Sequence, residues 1–371
     1  MPDLVARSLI TDRTYSITLG RGAARLMQVA DPAAVGDEHM IPGMFDLQVN
    51  GAGQSDLSSP DITAAEVAEL AMSQWKLGTC RFCPTIVTGP QDRTLNSLEV
   101  VARAREEDSL LAYAMPFIHM EGPHISALEG PRGAHDPAHV RPPDLGEFED
   151  WQRAAKGAIG MVTLAPELPG ALEYIKALRK MGVVVAVGHT AATPSEIKLA
   201  VSAGARCATH LGNGCEAILA RHPNRIWTQL AERKLYATFI GDGHHLDDDT
   251  LTAMLAAKGA GRSILVSDGV ATPSLEFASR DVSRRLELPG TPYLAGSSVA
   301  LLPALVALVG RRRLSWRRAA RLASINPWTL MAREGVGGRF GFEPADVSIV
   351  RFQEEGPAIG GVVVDGVHIT P

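Results

Sequence analysis

Cysteine is scarce in this chain, four residues in 371, and only Cys80 and Cys83 stand at CxxC spacing. No second CxxC completes a four-thiolate metal site, so this pair reads as buried, reduced core thiols. It follows a helix-like stretch and leads into Thr85-Ile86-Val87. Long apolar runs are also missing. The richest, Ser298 to Gly310, is too short to span a bilayer and is followed by Arg311, Arg312 and Arg313, which makes it a core helix. The opening MPDLVARSLITD has no apolar run behind a basic head, so no secretory signal is visible and a cytoplasmic protein is expected. Charge of one sign is not in excess: 36 Lys and Arg against 41 Asp and Glu leave −5, which directs the chain neither to nucleic acid nor to an acidic membrane. A glycine-rich dinucleotide loop is lacking too, because Gly51-Ala52-Gly53 has no third glycine, and this argues against a doubly wound sheet.

What is present is a chain with 46% hydrophobic and 21% charged residues, enough to close a large core and a second, smaller domain. After Met44-Phe45-Asp46-Leu47-Gln48-Val49, strand candidates alternate with helix candidates. Residues 61–78 carry an early Asp, apolar positions three and four apart and a final Gly, which marks both ends of a helix. The segments CPTIVTG, LAYAMPFIHMEG, AIGMVTLAPE, VVVAVGHT, ARCATHL, YATFIGDG and SILVSDG read as strands, separated by segments of helical period such as PGALEYIKALRKMG and TPSEIKLAVSAG. Seven or eight such units point to an α/β fold, a (β/α)8 TIM barrel of parallel strands, over residues 42–337. Short strands with Gly turns at both ends, residues 1–41 and 338–371, are expected to pair as one small β domain.

Polar groups fall at the C-terminal ends of these strands, in Glu121-Gly122-Pro123, Gly188-His189-Thr190, Thr209-His210-Leu211, Asp242-Gly243-His244-His245 and Ser267-Asp268-Gly269. In a parallel barrel these ends share one mouth. Glu121, His189 and His210 form a three-ligand set for one divalent ion, leaving a position for water; zinc suits it best, and iron or manganese would be tolerated. Asp268 is placed to take the water's proton and then supply one to a leaving amine. The glycines around Asp242 give it a supporting role.

These fragments, with Pro42-Gly43-Met44-Phe45-Asp46, Leu164-Ala165-Pro166-Glu167, Leu294-Ala295-Gly296-Ser297, Asn326-Pro327 and Ala345-Asp346, resemble in order and spacing the N-acetylglucosamine-6-phosphate deacetylases of the amidohydrolase superfamily. The resemblance runs almost end to end. It implies a distorted barrel, a small β-sandwich built from both termini, a homodimer, and hydrolysis of the N-acetyl amide of an amino sugar. It implies Glu121, His189 and His210 as metal ligands, Asp268 as base and then acid, His245 near the substrate carbonyl or sugar hydroxyls, and His135 in a loop that reaches the sugar.

Two departures from the family pattern stand out. Where many superfamily members carry HxH on the first strand for a second metal, this chain has Gln48-Val49-Asn50, and neutral amides are poor ligands, so one ion per chain is expected. The loop after His210 reads Asn213-Gly214-Cys215-Glu216, with Arg221 the match to the arginine that meets the sugar phosphate. Glu216, a possible partner for Arg221, and Asp56 add negative charge there and are expected to weaken a preference for phosphate. Two other readings stay open. Another amidohydrolase reaction, on a non-phosphorylated N-acyl or cyclic amide, would keep the ligands and Asp268 while changing the loops. A barrel that only binds would hold no ion.

Overall fold

The computed structural model describes residues 4–23, 25–29, 37–271, 285–333, 345–353 and 356–371. Eight parallel strands form one sheet: Met44–Val49, Thr79–Val87, Ile118–Glu121, Ile159–Leu164, Val184–Val187, Cys207–Ala208, Tyr236–Ile240 and Ser263–Val266. Asp268 N donating to Gln48 O (3.1 Å) and Asn50 N to Gly269 O (2.7 Å) bring the last strand's end back to the first, so the sheet is a nearly closed barrel. The strands are buried almost without alternation because both their faces are covered. Helices outside show the matching stripe. Ala171–Lys180 buries Ala171, Tyr174, Ile175 and Leu178, three and four residues apart. Thr63 with Glu66 and Thr193 with Glu196 close capping boxes on their helices, contributing roughly 1 kcal/mol each. Inside, Phe45, Phe117, Met161, Val184 and Tyr236 fill the barrel, and Trp328, Leu330 and Met331 of the last helix join the same cluster.

A seven-stranded curled sheet combines both ends of the chain. Glu38–Pro42 pairs in parallel with Leu4–Ser8 on one side and antiparallel with Val347–Gln353 on the other. Residues 338–344, expected to lead into this region, lie outside the described residues. Arg81, in the second barrel strand, clasps the sheet to the barrel. Its guanidinium lies 2.6 Å from Asp346 and stacks 3.7 Å from the Tyr113 ring centroid, with the ion pair almost fully buried.

Three local expectations change. Of residues 111–122, only Ile118–Glu121 is strand; Ser109–Ala114 is helix, capped by Asp108, whose carboxylate accepts from Leu110 N at 2.7 Å. The expected strand at 205–211 shrinks to Cys207–Ala208, after which the backbone turns to place His210. Cys80 and Cys83 both lie within Thr79–Val87. Positions three apart on a strand face opposite ways. Accordingly Cys83 packs in the barrel interior, while Cys80 bonds toward Val347 and Ser348 of the terminal sheet; both are buried and free.

Candidate active site

Glu121 is the last residue of its strand, whereas His189, His210 and Asp268 each lie two residues past theirs. Those three share a left-handed backbone, with φ of 48°, 28° and 53°. The conformation costs a non-glycine residue about 1–3 kcal/mol, and here it breaks the strand's alternation so that the side chains converge. Glu121 Oε1 lies 2.9 Å from His210 Nε2 and 3.4 Å from His189 Nε2, and the two imidazole nitrogens are 3.1 Å apart. A tetrahedral ion with ligand bonds of about 2 Å requires edges of roughly 3.3 Å, so this buried triangle fits one divalent ion. Burial acts to raise the Glu121 carboxyl, but the bonds from His189 and His210 outweigh it and hold the group well below its ordinary range. For His210 burial acts downward and the bond to Glu121 prevails, raising it.

These side chains are steered from behind. His189 Nδ1 donates to the Pro131 carbonyl at 3.0 Å, which leaves the Nε2 lone pair for an ion. Gly133 and Gly214, at φ of 61° and 56°, let two loops close on that ring; a Cβ at Gly214 would stand 2.8 Å from His189 Nδ1. Below the ligands, His119 Nδ1 donates to Leu47 O at 3.0 Å and its Nε2 accepts from Thr163 Oγ1 at 2.8 Å, tying three barrel strands together.

Gln48 and Asn50 act as donors to the carboxylates of the site. Gln48 Nε2 donates to Asp268 Oδ1 at 2.8 Å and to Glu121 Oε2 at 3.1 Å, and Asn50 Nδ2 donates to the same Asp268 Oδ1 at 2.8 Å. Both donors converge on one oxygen, and no described residue bonds Oδ2. Asp268 is raised from its ordinary value, chiefly by burial and then by the Glu121 charge, which suits a carboxylate that must accept a proton. The sequence showed these two residues as amides in a ligand position; their donor role depends on the closure of the barrel between its first and last strands.

His245 lines the same cleft, of about 840 Å³. Its Nδ1 donates to Asp242 Oδ2 at 2.8 Å, and Asp242 Oδ1 accepts from the backbone of His244 and His245, which leaves His245 Nε2 for the cleft. His135 comes within 3.2 Å of His189, nitrogen to nitrogen, and also lines the cleft, as do Asn213, Gly214 and Asp56. Arg221 does not. It is exposed, and its loop is held by Trp227 Nε1 donating to the Arg221 carbonyl at 3.1 Å. Nor is it the partner of Glu216, which pairs with Arg225. Asn224 caps the helix Arg225–Ala231, and Arg225 also donates to the carbonyls of Ala191 (2.6 Å) and Ala192 (3.0 Å), so it faces inward where Arg221 does not.

No family model matches the chain, but individual proteins do. It is 32% identical over 305 residues to an N-acetylglucosamine-6-phosphate deacetylase of Bacillus subtilis, covering 79% of this chain and 75% of the relative. It is 29% identical over 306 residues to an N-acetylgalactosamine-6-phosphate deacetylase of a Shewanella species, covering 80% and 75%. The crystal structure of the N-acetyl-D-glucosamine-6-phosphate deacetylase of Mycobacterium smegmatis superposes with a TM-score of 0.83 over 99% of both chains at 26% identity. With the Glu-His-His triangle and Asp268 at the barrel mouth, these likenesses establish that the chain belongs to the N-acetylglucosamine-6-phosphate deacetylase family of the amidohydrolase superfamily.

Proposed function

We propose that this chain hydrolyses the N-acetyl amide of an amino sugar, N-acetylglucosamine 6-phosphate or a close relative, to the free amine and acetate. The observation that carries the reading is the pairing of the buried Glu121, His189 and His210 triangle with an aspartate whose Oδ1 is occupied and whose Oδ2 is bonded by no described residue. A divalent ion bound by the triangle supplies Lewis acidity, activating water and polarising the amide carbonyl. Asp268 takes the attacking water's proton on Oδ2 and returns it to the nitrogen as the amine departs, while Gln48 and Asn50 hold the carboxylate in register. His245, with Nδ1 committed to Asp242, presents Nε2 to the amide oxygen or a sugar hydroxyl, and His135, Asn213 and Gly214 line the sugar's path.

We further propose one zinc ion per chain, a homodimer and a cytoplasmic site of action. Two imidazoles and one carboxylate favour zinc, with iron or manganese tolerated. Ile218 and Trp227, 90% and 57% exposed on the segment after His210, support a covering partner copy. Four free cysteines suit a reducing compartment. Among the described residues no helix is long and apolar enough to cross a membrane. The division into residues 1–41 with 338–371 and residues 42–337 rests on the separate terminal sheet.

The experiment is acetate release from N-acetylglucosamine with and without its 6-phosphate, from the galactosamine and mannosamine isomers, and from N-acyl amino acids, with elemental analysis of the protein. Turnover of an amino sugar with one ion per chain is expected. Turnover of only N-acyl amino acids, or of no acetylated compound, would overturn the reading.

A further inference from the structure

Three loops of the cleft wall meet at one ion pair. Arg225 opens the helix Arg225–Ala231, and only 11% of its side chain is exposed. It donates to Ala191 O at 2.6 Å and to Ala192 O at 3.0 Å, in the turn that follows the metal-ligand candidate His189. Glu167 grips the same turn, accepting from Ala191 N at 2.6 Å and from Thr190 Oγ1 at 2.5 Å. With its remaining terminal nitrogen Arg225 pairs with Glu216. A guanidinium can bond all three groups at once because its donors are spread over a planar fork, which a single ammonium does not reproduce.

Glu216 ends the second loop. That loop starts at Asn213, whose backbone N and Nδ2 both donate to His210 O, at 2.9 and 3.2 Å. Between these anchors Gly214 backs onto the His189 ring, and Asn213, Gly214 and Cys215 line the cleft. The third loop supplies Pro131 O to His189 Nδ1 and rests on the same residue: a Cβ at Gly130, φ 90°, would stand 3.0 Å from Glu216 Cα. The proposed reaction uses neither Arg225 nor Glu216, and neither lines the cleft. Their ion pair nevertheless joins the turn behind His189 to the loop that faces the substrate.

We propose that Arg225 and Glu216 are positioning residues, a strut that holds the substrate-facing residues 213–215 at a fixed spacing from His189. Arg225 acts on both the turn and the loop, whereas Glu216 acts on the loop alone, so the removal of each has its own signature. The effect on substrate rests on the amide-hydrolysis reading; the effect on the loop and the ion does not.

The test reads loop, ion and substrate separately in the full, zinc-loaded chain. Amide hydrogen exchange is followed by mass spectrometry, zinc retention by chelator competition, and kcat and KM with the acetylated sugar that is turned over. Glu216→Gln should speed exchange over residues 212–217 about 10-fold, as expected for loss of a charge-assisted bond, and raise KM by a similar factor. Its kcat, zinc retention and exchange over residues 189–192 should match the parent. Arg225→Ala should show the same changes and in addition speed exchange over residues 189–192 and weaken zinc retention about 10-fold. The double variant should match Arg225→Ala in KM, since the two residues act as one unit. Unchanged loop exchange and KM in Glu216→Gln, faster exchange spread evenly over the whole chain, or KM effects that multiply in the double variant would overturn the proposal. The expected exchange and retention pattern without turnover of any acetylated sugar would support the strut and sink the amide reading alone.

Discussion

Two buried aspartates divide the molecule's labour. Asp346, which joins the terminal sheet to the barrel, has both oxygens taken: Oδ2 by Arg81 Nε at 2.8 Å and Tyr113 at 3.0 Å, Oδ1 by Tyr113 and by Asp365 N at 3.0 Å. Asp268, at the barrel mouth, has two neutral amides on Oδ1 and nothing among the described residues on Oδ2. The carboxylate used for cohesion is saturated and paired with a cation. The one proposed for proton transfer is oriented by neutral donors on one oxygen, with no described residue on the other.

That contrast can be broken from either side. The largest effect is expected from Asp268→Asn, which preserves shape but cannot accept the proton: turnover should fall about 10²-fold or more while elemental analysis still finds the ion. Activity within a few-fold of the parent at every pH would mean that another group moves the proton. At the other aspartate, Arg81→Ala leaves a buried carboxylate unpaired and should cost about 3–5 kcal/mol in denaturant unfolding, with kcat of the folded fraction little changed. Equal stability would show that the clasp is dispensable.

Smaller effects sharpen the comparison. Gln48→Ala removes a donor to the charged form of Asp268, so the Asp268 pKa, already raised by burial, should rise further. Because the proposed mechanism uses the deprotonated form, the acidic limb of kcat/KM should move to higher pH, with a drop of roughly 10-fold at neutral pH. A limb that stays in place would remove Gln48 from this role. Gly214→Ala combines φ of 56° with a Cβ 2.8 Å from His189 Nδ1, and should weaken ion retention in a chelator competition by about 10-fold. Parent-like retention would show that the loop can yield.

Much of this site was legible before any coordinates. A strand that ends in a polar residue needs little context when five do so in series, which is why Glu121, His189, His210 and Asp268 could be named. What could not be read depended on which atoms face each other across the fold. Gln48 and Asn50 acquire their meaning only when the eighth strand closes beside the first. Arg221 and Arg225 are four residues apart, but the Asn224 cap starts the helix between them, so only Arg225 is helical and faces inward. The helix at 109–114 did carry a local sign, the Asp108 cap, but the apolar run beyond it masked that. Cys80 and Cys83 kept ligand spacing in sequence and lost it to the pleat of a strand.

The pairing of Glu38–Pro42 with Val347–Gln353 has a consequence for biosynthesis. These partners are separated by nearly the whole chain, so a ribosome releases the first strand long before its neighbour exists. The hairpin of Leu4–Ser8 and Thr14–Thr18 can form early, yet so small a sheet is marginal in water and its free edge invites pairing with other chains. The barrel can close while this edge waits, which makes the terminal sheet the last part of the protein to mature. Ribosome-bound chains arrested before residue 345 should therefore be cleaved by protease within the first forty residues while the barrel resists, and protection of both regions at that length would show that the sheet does not depend on its late partner.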